Sequence, residues 1–432
     1  MQRTLLQNLI DWKKKDDRKP LIIRGARQVG KTWLMKEFGK SHYKNIAYVN
    51  FETALSLHNI FESGFETDKI LMALKIETGV EIIPGDTLII FDEIQECEAA
   101  ITSLKYFQEN ANQYHIVAAG SLLGVVFNKN RSFPVGKVDF LDLHPLNFAE
   151  FLLAVNEPQL LELLHKKNWD LITSIKKKYI DLLKKYYYVG GMPEAVLTFI
   201  NLNDFKKVRE KQLNILAAYE QDFSKHAPHK IVPRIRLVWQ SLPSQLAKEN
   251  RKFIYGNLKK VARAREFELA IEWLTDAGFV HKVNRCNKPG LPLIAYEVIS
   301  DFKLFLLDVG LLAAMGNLDM QTLITEQLLF EEFNGAITQQ YVLQQLKSID
   351  QLPVYYWTAE KATAEIDFLI QYQNRIIPIE VKAVENLKAK SLKAYYQKFN
   401  PEISIRTSLS DYRKENWLVN LPLYAFRTLL DI

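Results

Sequence analysis

Cysteine is nearly absent: Cys97 and Cys286 are the only two in 432 residues, far apart and in no metal-ligand spacing. Neither a disulfide scaffold nor a cysteine-bound zinc site is therefore expected. No window approaches a membrane-spanning length of apolar residues. The opening Met1-Gln2-Arg3-Thr4 also lacks the apolar core of a signal peptide, so a cytoplasmic protein without membrane contact is expected. Neither sign of charge dominates. The 56 basic and 50 acidic residues give a net charge of +6, which is compatible with a nucleic-acid partner but insufficient to establish one. What remains is the ordinary globular mixture, 48% apolar and 25% charged. The chain is too long for a single core, and roughly two to four domains are expected.

The most informative stretch is Leu21-Ile22-Ile23-Arg24-Gly25-Ala26-Arg27-Gln28-Val29-Gly30-Lys31-Thr32. A short apolar run has the length of a buried strand, and Trp33 to Phe38 opens a helix. Strand, GxxxxGK(S/T), helix is the phosphate-binding loop in its required context. The glycines let successive N–H groups turn inward and let the chain approach a phosphate without a Cβ in the way. Lys31 would reach the β- and γ-phosphates and Thr32 would offer its hydroxyl to Mg²⁺. The helix N-terminus adds its positive end.

Hydrolysis needs more than a cradle. Thr87-Leu88-Ile89-Ile90-Phe91-Asp92-Glu93 reads as a central strand whose carboxyl end carries two acids. Asp92 is the candidate Mg²⁺ holder and Glu93 the candidate that orients or deprotonates the attacking water. Together with the upstream loop, this is an ATP or GTP site. Further strands are expected at Ile46–Glu52, Tyr114–Ala119 and Val138–Leu143, with helices between them, giving a parallel sheet covered on both faces. The pattern resembles the additional-strand P-loop class, in which the strand ending at Gly120-Ser121 is inserted between the other two. Ser121 would then lie beside the γ-phosphate, or else begin a plain Gly-Ser turn.

From about residue 155 to 250 the pattern turns helical, broken at Gly190-Gly191-Met192-Pro193. An amphipathic helix from Glu266 to Ala277 precedes two strands, Gly278–Val283 and Leu293–Val298, which suggest a winged helix. Arg251, Lys252, Lys259, Lys260, Arg263, Arg265, Lys282, Arg285 and Lys288 crowd this region. Such modules touch DNA phosphates or serve as protein-binding surfaces. After a long helix, Leu328 to Leu346, come three strands. Asp367 lies on the second of them and Glu380-x-Lys382 on the third, the layout of PD-(D/E)xK nucleases. There Asp367 and Glu380 would hold Mg²⁺ and Lys382 would assist at water or phosphate. A solvated face with a Glu–Lys pair is the alternative.

Taken in order, Gly25–Thr32, Phe91–Gln95, Gly120–Leu123, Ser132–Val138, Val189–Glu194, Phe302–Leu312 and Ile379–Lys382 resemble the prokaryotic predicted AAA-superfamily ATPases whose C-terminal half is a domain of unknown function. The resemblance implies an α/β chain with a P-loop NTPase core of the AAA-like, additional-strand class. A helical lid, a winged helix and a PD-(D/E)xK-like α/β domain would follow, with boundaries at 1–155, 156–230, 231–315 and 316–432. It implies ATP as the nucleotide and Mg²⁺ as its metal. In related NTPases a Gly-x-Pro turn touches the adenine. Gly191-Met192-Pro193 is similar to that turn, and an interhelical break explains it too. Many relatives carry Gly-Arg where this chain has Gly136-Lys137, leaving Arg131 as a substitute finger. The usual acid on the long C-terminal helix is Gln339, and Glu332 lies about 10 Å earlier by helical rise.

Three functions remain open at this level. The chain is an ATPase that acts on DNA, a nucleotide-driven switch that recruits a protein partner or another copy of itself, or a scaffold that binds nucleotide without turnover. The intact Asp92-Glu93 pair ranks the last below the others.

Overall fold

The computed structural model describes every residue except 128–133, 249–251, 260–262, 326–330, 360–363, 386–387 and 432. Arg131, Arg251 and Lys260 thus lie outside the described residues, as does the side chain of Glu332. The chain forms two compact units. One comprises residues 2–144 with 276–278; the other comprises Met1, 145–275 and 279–432.

The first unit is built on five parallel strands: β1 (Leu21–Arg24), β2 (Asn45–Asn50), β3 (Thr87–Asp92), β4 (His115–Ala119) and β5 (Asp139–Asp142). Their order is β2-β3-β4-β1-β5. The strand that leads to Ser121 therefore lies between the P-loop strand and the Asp92 strand, as expected. Every residue of β3 and β4 is buried, whereas edge strand β2 alternates, with Ala47 and Val49 buried and Tyr48 and Asn50 only half-buried. Central parallel strands are covered on both faces and so read as continuous apolar runs. The candidate site residues of β1, β3 and β4 lie at or just beyond the carboxyl ends of their strands.

At the opposite end of the sheet, His115 opens β4 with 8% of its surface exposed. Its Nδ1 lies 2.7 Å from the Tyr43 hydroxyl, and its ring meets Trp12 edge-on. Burial, then the charges of Arg18 and Lys13, push its pKa down to about 4. An unfolded histidine titrates near its ordinary value of about 6.5. Between those values the unfolded chain takes up a proton that the folded chain refuses. The stability associated with neutral His115 is therefore complete above about pH 6.5 and lost as pH falls through about 4. The loss amounts to about 2 kcal/mol after allowance for solvent screening. Urea midpoints at pH 7 and pH 4.5 should accordingly fall further for the parent than for His115→Phe.

The second unit begins with eight helices, from Phe148–Ala154 to Ala264–Asp276. Eight strands follow: β6 (Val280–Cys286), β7 (Glu297–Leu306), β8 (Val354–Thr358), β9 (Glu365–Tyr372), β10 (Arg375–Val381), β11 (Ser404–Ser408), β12 (Arg413–Lys414) and β13 (Leu418–Pro422). They form one sheet in the order β12-β13-β11-β10-β9-β8-β6-β7. The hairpin read as a wing is real but not isolated, because β6 pairs onward with β8 through Arg285↔Tyr356 and Cys286↔Trp357. Its second strand also starts later than Leu293. Residues Leu293–Tyr296 form a 3-10 turn, with Leu293 buried and its N–H donating to Gln371, and the apolar run ending at Leu306 supplies the strand.

Two features hold this unit together. The helix Glu331–Lys347 buries Gln339, Gln340, Gln344 and Gln345. Gln340 bonds both the N–H and the carbonyl of Leu306, Gln344 accepts from Val309 N–H, and Gln345 accepts from Phe148 N–H. Each amide serves backbone groups that would otherwise be buried without partners. The second feature is the Gly190-Gly191 turn. Gly191 donates to Asp308 Oδ2 at 2.6 Å and accepts from Leu146 N–H at 2.7 Å, and a Cβ on it would lie 2.0 Å from the Leu146 carbonyl. Burial raises the Asp308 carboxyl's pKa, against hydrogen bonds from Gly191, Leu311 and Gln344.

Candidate nucleotide site

The helix Lys31–His42 starts directly from Gly30, whose φ of 97° is left-handed. Gly25, at φ 143°, is more constrained still, since a Cβ there would lie 2.2 Å from the Leu143 carbonyl oxygen. No side chain fits. The loop between them, Ala26, Arg27, Gln28 and Val29, is anchored from a distance: Arg3 donates to the Val29 carbonyl at 3.0 Å and to the His144 carbonyl at 2.5 Å.

Lys31 is buried and folded back, donating from Nζ to the Gly25 carbonyl at 2.9 Å and the Ala26 carbonyl at 2.8 Å. Burial pulls its pKa down to about 8 against the opposing pull of Glu93 and Asp92, while Arg27 adds to the depression. The ammonium is thus held at the edge of deprotonation, where an added anion would secure its charge. Thr32 Oγ1 donates to Asp92 Oδ2 at 2.7 Å, so β3 and the loop converge on one point. Asp92, 3% exposed, also accepts from Tyr48 on Oδ2 at 3.0 Å and from Glu93 N–H on Oδ1 at 3.1 Å. A hydroxyl and a carboxylate side by side are hard oxygen donors of the kind Mg²⁺ takes, so these residues fit that ion.

Glu93 has a left-handed backbone, φ 48°, which costs energy in a non-glycine residue and turns its side chain toward β4. Its Oε2 accepts from Ser121 Oγ at 2.9 Å, Ser121 N–H at 3.3 Å and Gln95 Nε2 at 2.7 Å. Burial alone would raise its pKa. The bonds from Gln95 and Ser121 and the charge of Lys31 outweigh burial and hold the carboxyl below its usual range. It is an ionised carboxylate with a fixed direction.

Gly25 to Thr32, Asp92, Glu93 and Ser121 are therefore brought together within the first unit. Pro193 belongs to the second, at the first position of the helix Pro193–Leu202. Lys137 is paired with Glu109 at 2.9 Å. The contributions of Tyr48, Gln95 and Arg3 went unassigned in the sequence. Only Gln95 carried a local signal, lying two residues beyond Glu93.

In the second unit, Asp367, Glu380 and Lys382 also come together. Lys382 Nζ lies 2.9 Å from Glu380 Oε1, and Val381 N–H donates to Asp367 Oδ2 at 2.7 Å. Gln339 turns its amide nitrogen, not its oxygen, toward Asp367 Oδ1. Glu380 is 3% exposed, and its Oε2 has no hydrogen-bond partner among the described residues. Burial, with a smaller push from Asp367, raises its pKa against the pull of Lys382. With a neutral amide where a third carboxylate would be needed and Lys382 already on Glu380, the donor set fits a divalent cation poorly. Among the described residues, no three histidine, cysteine or acidic side chains form a metal cluster.

Of the nine basic residues near the hairpin, Lys252 and Arg285 converge on Asp301, and Lys282 and Lys288 lie over the rings of Phe302 and Tyr296. Lys259, Arg263, Arg265 and Lys288 are exposed. No helix among the described residues is long and apolar enough to cross a membrane.

Family models match three stretches: an AAA domain at residues 17–152, a domain of unknown function (DUF8612) at 180–322, and another (DUF4143) at 334–426. No curated protein matches the chain. Solved structures similar to it include the Aeropyrum pernix ORC1 protein in complex with DNA, at 13% identity and TM-score 0.25, covering 72% of this chain and 90% of that one. Cdc6p from Pyrobaculum aerophilum is similar at 10% identity and TM-score 0.26, covering 75% and 93%. Drosophila ORC bound to DNA follows at 15% identity and TM-score 0.24, covering 73% and 94%.

Proposed function

We propose that the chain is a Mg²⁺-dependent ATPase of the AAA type that acts on DNA through its C-terminal half. The observation that carries the ATPase reading is the 2.7 Å bond from Thr32 to Asp92, which puts the phosphate loop and the acid strand at one point. The N–H groups of the Gly25–Thr32 loop cradle the phosphates, and Lys31 leaves the Gly25 and Ala26 carbonyls for the β- and γ-phosphate oxygens. Thr32 and Asp92 would hold Mg²⁺, which when bound offsets charge on those oxygens. Glu93, aimed by Ser121 and Gln95, aligns a water and accepts its proton.

The DNA arm rests on the exposed Lys259, Arg263, Arg265 and Lys288 within one short stretch. Phosphate contacts of this kind are strongly salt-dependent. A second reading, a nucleotide-driven switch with a non-cutting nuclease-like domain, is favoured by the Gln339 amide that faces Asp367. The test is ATP turnover with and without duplex DNA at low and moderate salt, alongside a Mg²⁺- or Mn²⁺-dependent cleavage assay. Stimulation that fades as salt rises, without cleavage, is expected. Turnover and binding both indifferent to DNA at low salt would remove the DNA arm. Cleavage lost in the double variant Asp367→Ala, Glu380→Ala would contradict the non-cutting assignment.

A further inference from the structure

Tyr48 stands on edge strand β2, between Ala47 and Val49, which are buried in the core. Its own ring lies on the opposite face. Asn50 pairs with Asp92 across the β2–β3 ladder, so Tyr48 lies two residues short of that acid on the neighbouring strand. From there its hydroxyl donates to Asp92 Oδ2 at 3.0 Å, the same oxygen that Thr32 Oγ1 approaches at 2.7 Å. Lys36, one turn into the P-loop helix, places Nζ 3.7 Å from the centre of the Tyr48 ring. The ring is thus held from the helix while its hydroxyl holds the strand.

From this geometry we infer that Tyr48 is a positioning residue that fixes the Asp92 carboxylate for its metal. The inference rests on the ATPase reading of the same site. Among the described residues Asp92 has three donors: Glu93 N–H fixes Oδ1, while Thr32 and Tyr48 share Oδ2. When Thr32 turns a lone pair of its hydroxyl oxygen to a cation, its O–H can still donate to Asp92, but the metal then sets the direction of that bond. Tyr48 is the donor to Oδ2 that stands apart from the proposed metal ligands. A carboxylate that ligates a metal is oriented by such outer hydrogen bonds, and their loss typically weakens metal affinity by about 10- to 100-fold. The cation–π contact from Lys36 limits the tilt of the ring and hence the wander of the hydroxyl.

Equilibrium binding of a fluorescent, non-hydrolysable ATP analogue, titrated with Mg²⁺, tests this without reference to turnover. Tyr48→Phe, which removes one oxygen, should raise the Mg²⁺ concentration for half-maximal enhancement by about tenfold. Its affinity for the analogue in EDTA should match the parent's, which a variant with a merely loosened loop would not do. Lys36→Met keeps the hydroxyl and frees the ring, so it should shift the Mg²⁺ requirement the same way by a smaller factor. If both variants keep the parent's Mg²⁺ requirement, or lose affinity equally with and without Mg²⁺, the assignment of Tyr48 is overturned. A parent that binds no analogue under any condition overturns the ATPase reading beneath it.

Discussion

Glu93→Gln is expected to lower kcat for ATP by about two to four orders of magnitude, the range a positioned general base contributes. Nucleotide affinity should stay within about threefold of the parent's, because Glu93 acts on water and not on the phosphates. The expected size follows from how the carboxylate is held. Three donors converge on Oε2, two from Ser121 and one from Gln95, and they keep the group ionised despite its burial. Glutamine cannot accept the proton. If its amide nitrogen occupied the Oε2 position, it would also face three hydrogen-bond donors, so the side chain should turn away. Phosphate release and equilibrium binding measured on the same preparations separate the two effects. Unchanged turnover would remove Glu93 from the reaction.

Lys31→Ala should weaken ATP binding by about 100-fold, on the order of 3 kcal/mol, the usual loss when one partner of a buried charge pair is truncated. The unliganded chain should scarcely change in thermal stability. In that state Lys31 is a buried ammonium satisfied by two loop carbonyls, and burial draws its pKa down to about 8 even against the pull of Glu93 and Asp92. Removing it takes away two hydrogen bonds but also a desolvated charge, and these oppose each other. Isothermal titration with ATP and Mg²⁺, beside a melting curve without nucleotide, checks both halves. A variant that binds ATP like the parent would remove the phosphate cradle; one that unfolds without nucleotide would make Lys31 structural.

The parts of this site that were legible in the sequence are those written contiguously. Gly25 to Thr32 and Leu88 to Glu93 each place their candidate groups within one loop or one strand end, so spacing alone carries the geometry. Ser121 was legible through the inserted-strand pattern, although its observed partner is Glu93. Tyr48 was not, because a tyrosine on an alternating edge strand reads the same whether its hydroxyl meets solvent or a carboxylate one strand away. Arg3 was hidden for a similar reason, since nothing in a guanidinium announces its partner, whereas Gln95 at least lay two residues beyond Glu93.

In the second unit the opposite difficulty arose. Gln339, Gln340, Gln344 and Gln345 interrupt a helix that is nonetheless buried, because the last three replace missing backbone partners and Gln339 bonds the Asp367 carboxylate. Polarity at those positions signals hydrogen-bond demand and not exposure. The hairpin at β6 and β7 was found as a pair of strands, but its onward pairing with β8 depends on contacts some 70 residues apart that no local pattern encodes. Gly190-Gly191 was read as a break. Its tightness against Leu146 and Asp308 became visible only once those segments were adjacent.

The most direct measurement is a crystal or cryo-EM structure of the protein with Mg²⁺ and a non-hydrolysable ATP analogue. The result expected is a triphosphate inside the Gly25–Thr32 loop, Lys31 released from the Gly25 and Ala26 carbonyls onto phosphate oxygens, and a cation between Thr32 and Asp92. A nucleotide bound elsewhere, or Lys31 still folded onto its own loop beside a bound triphosphate, would contradict the site described here.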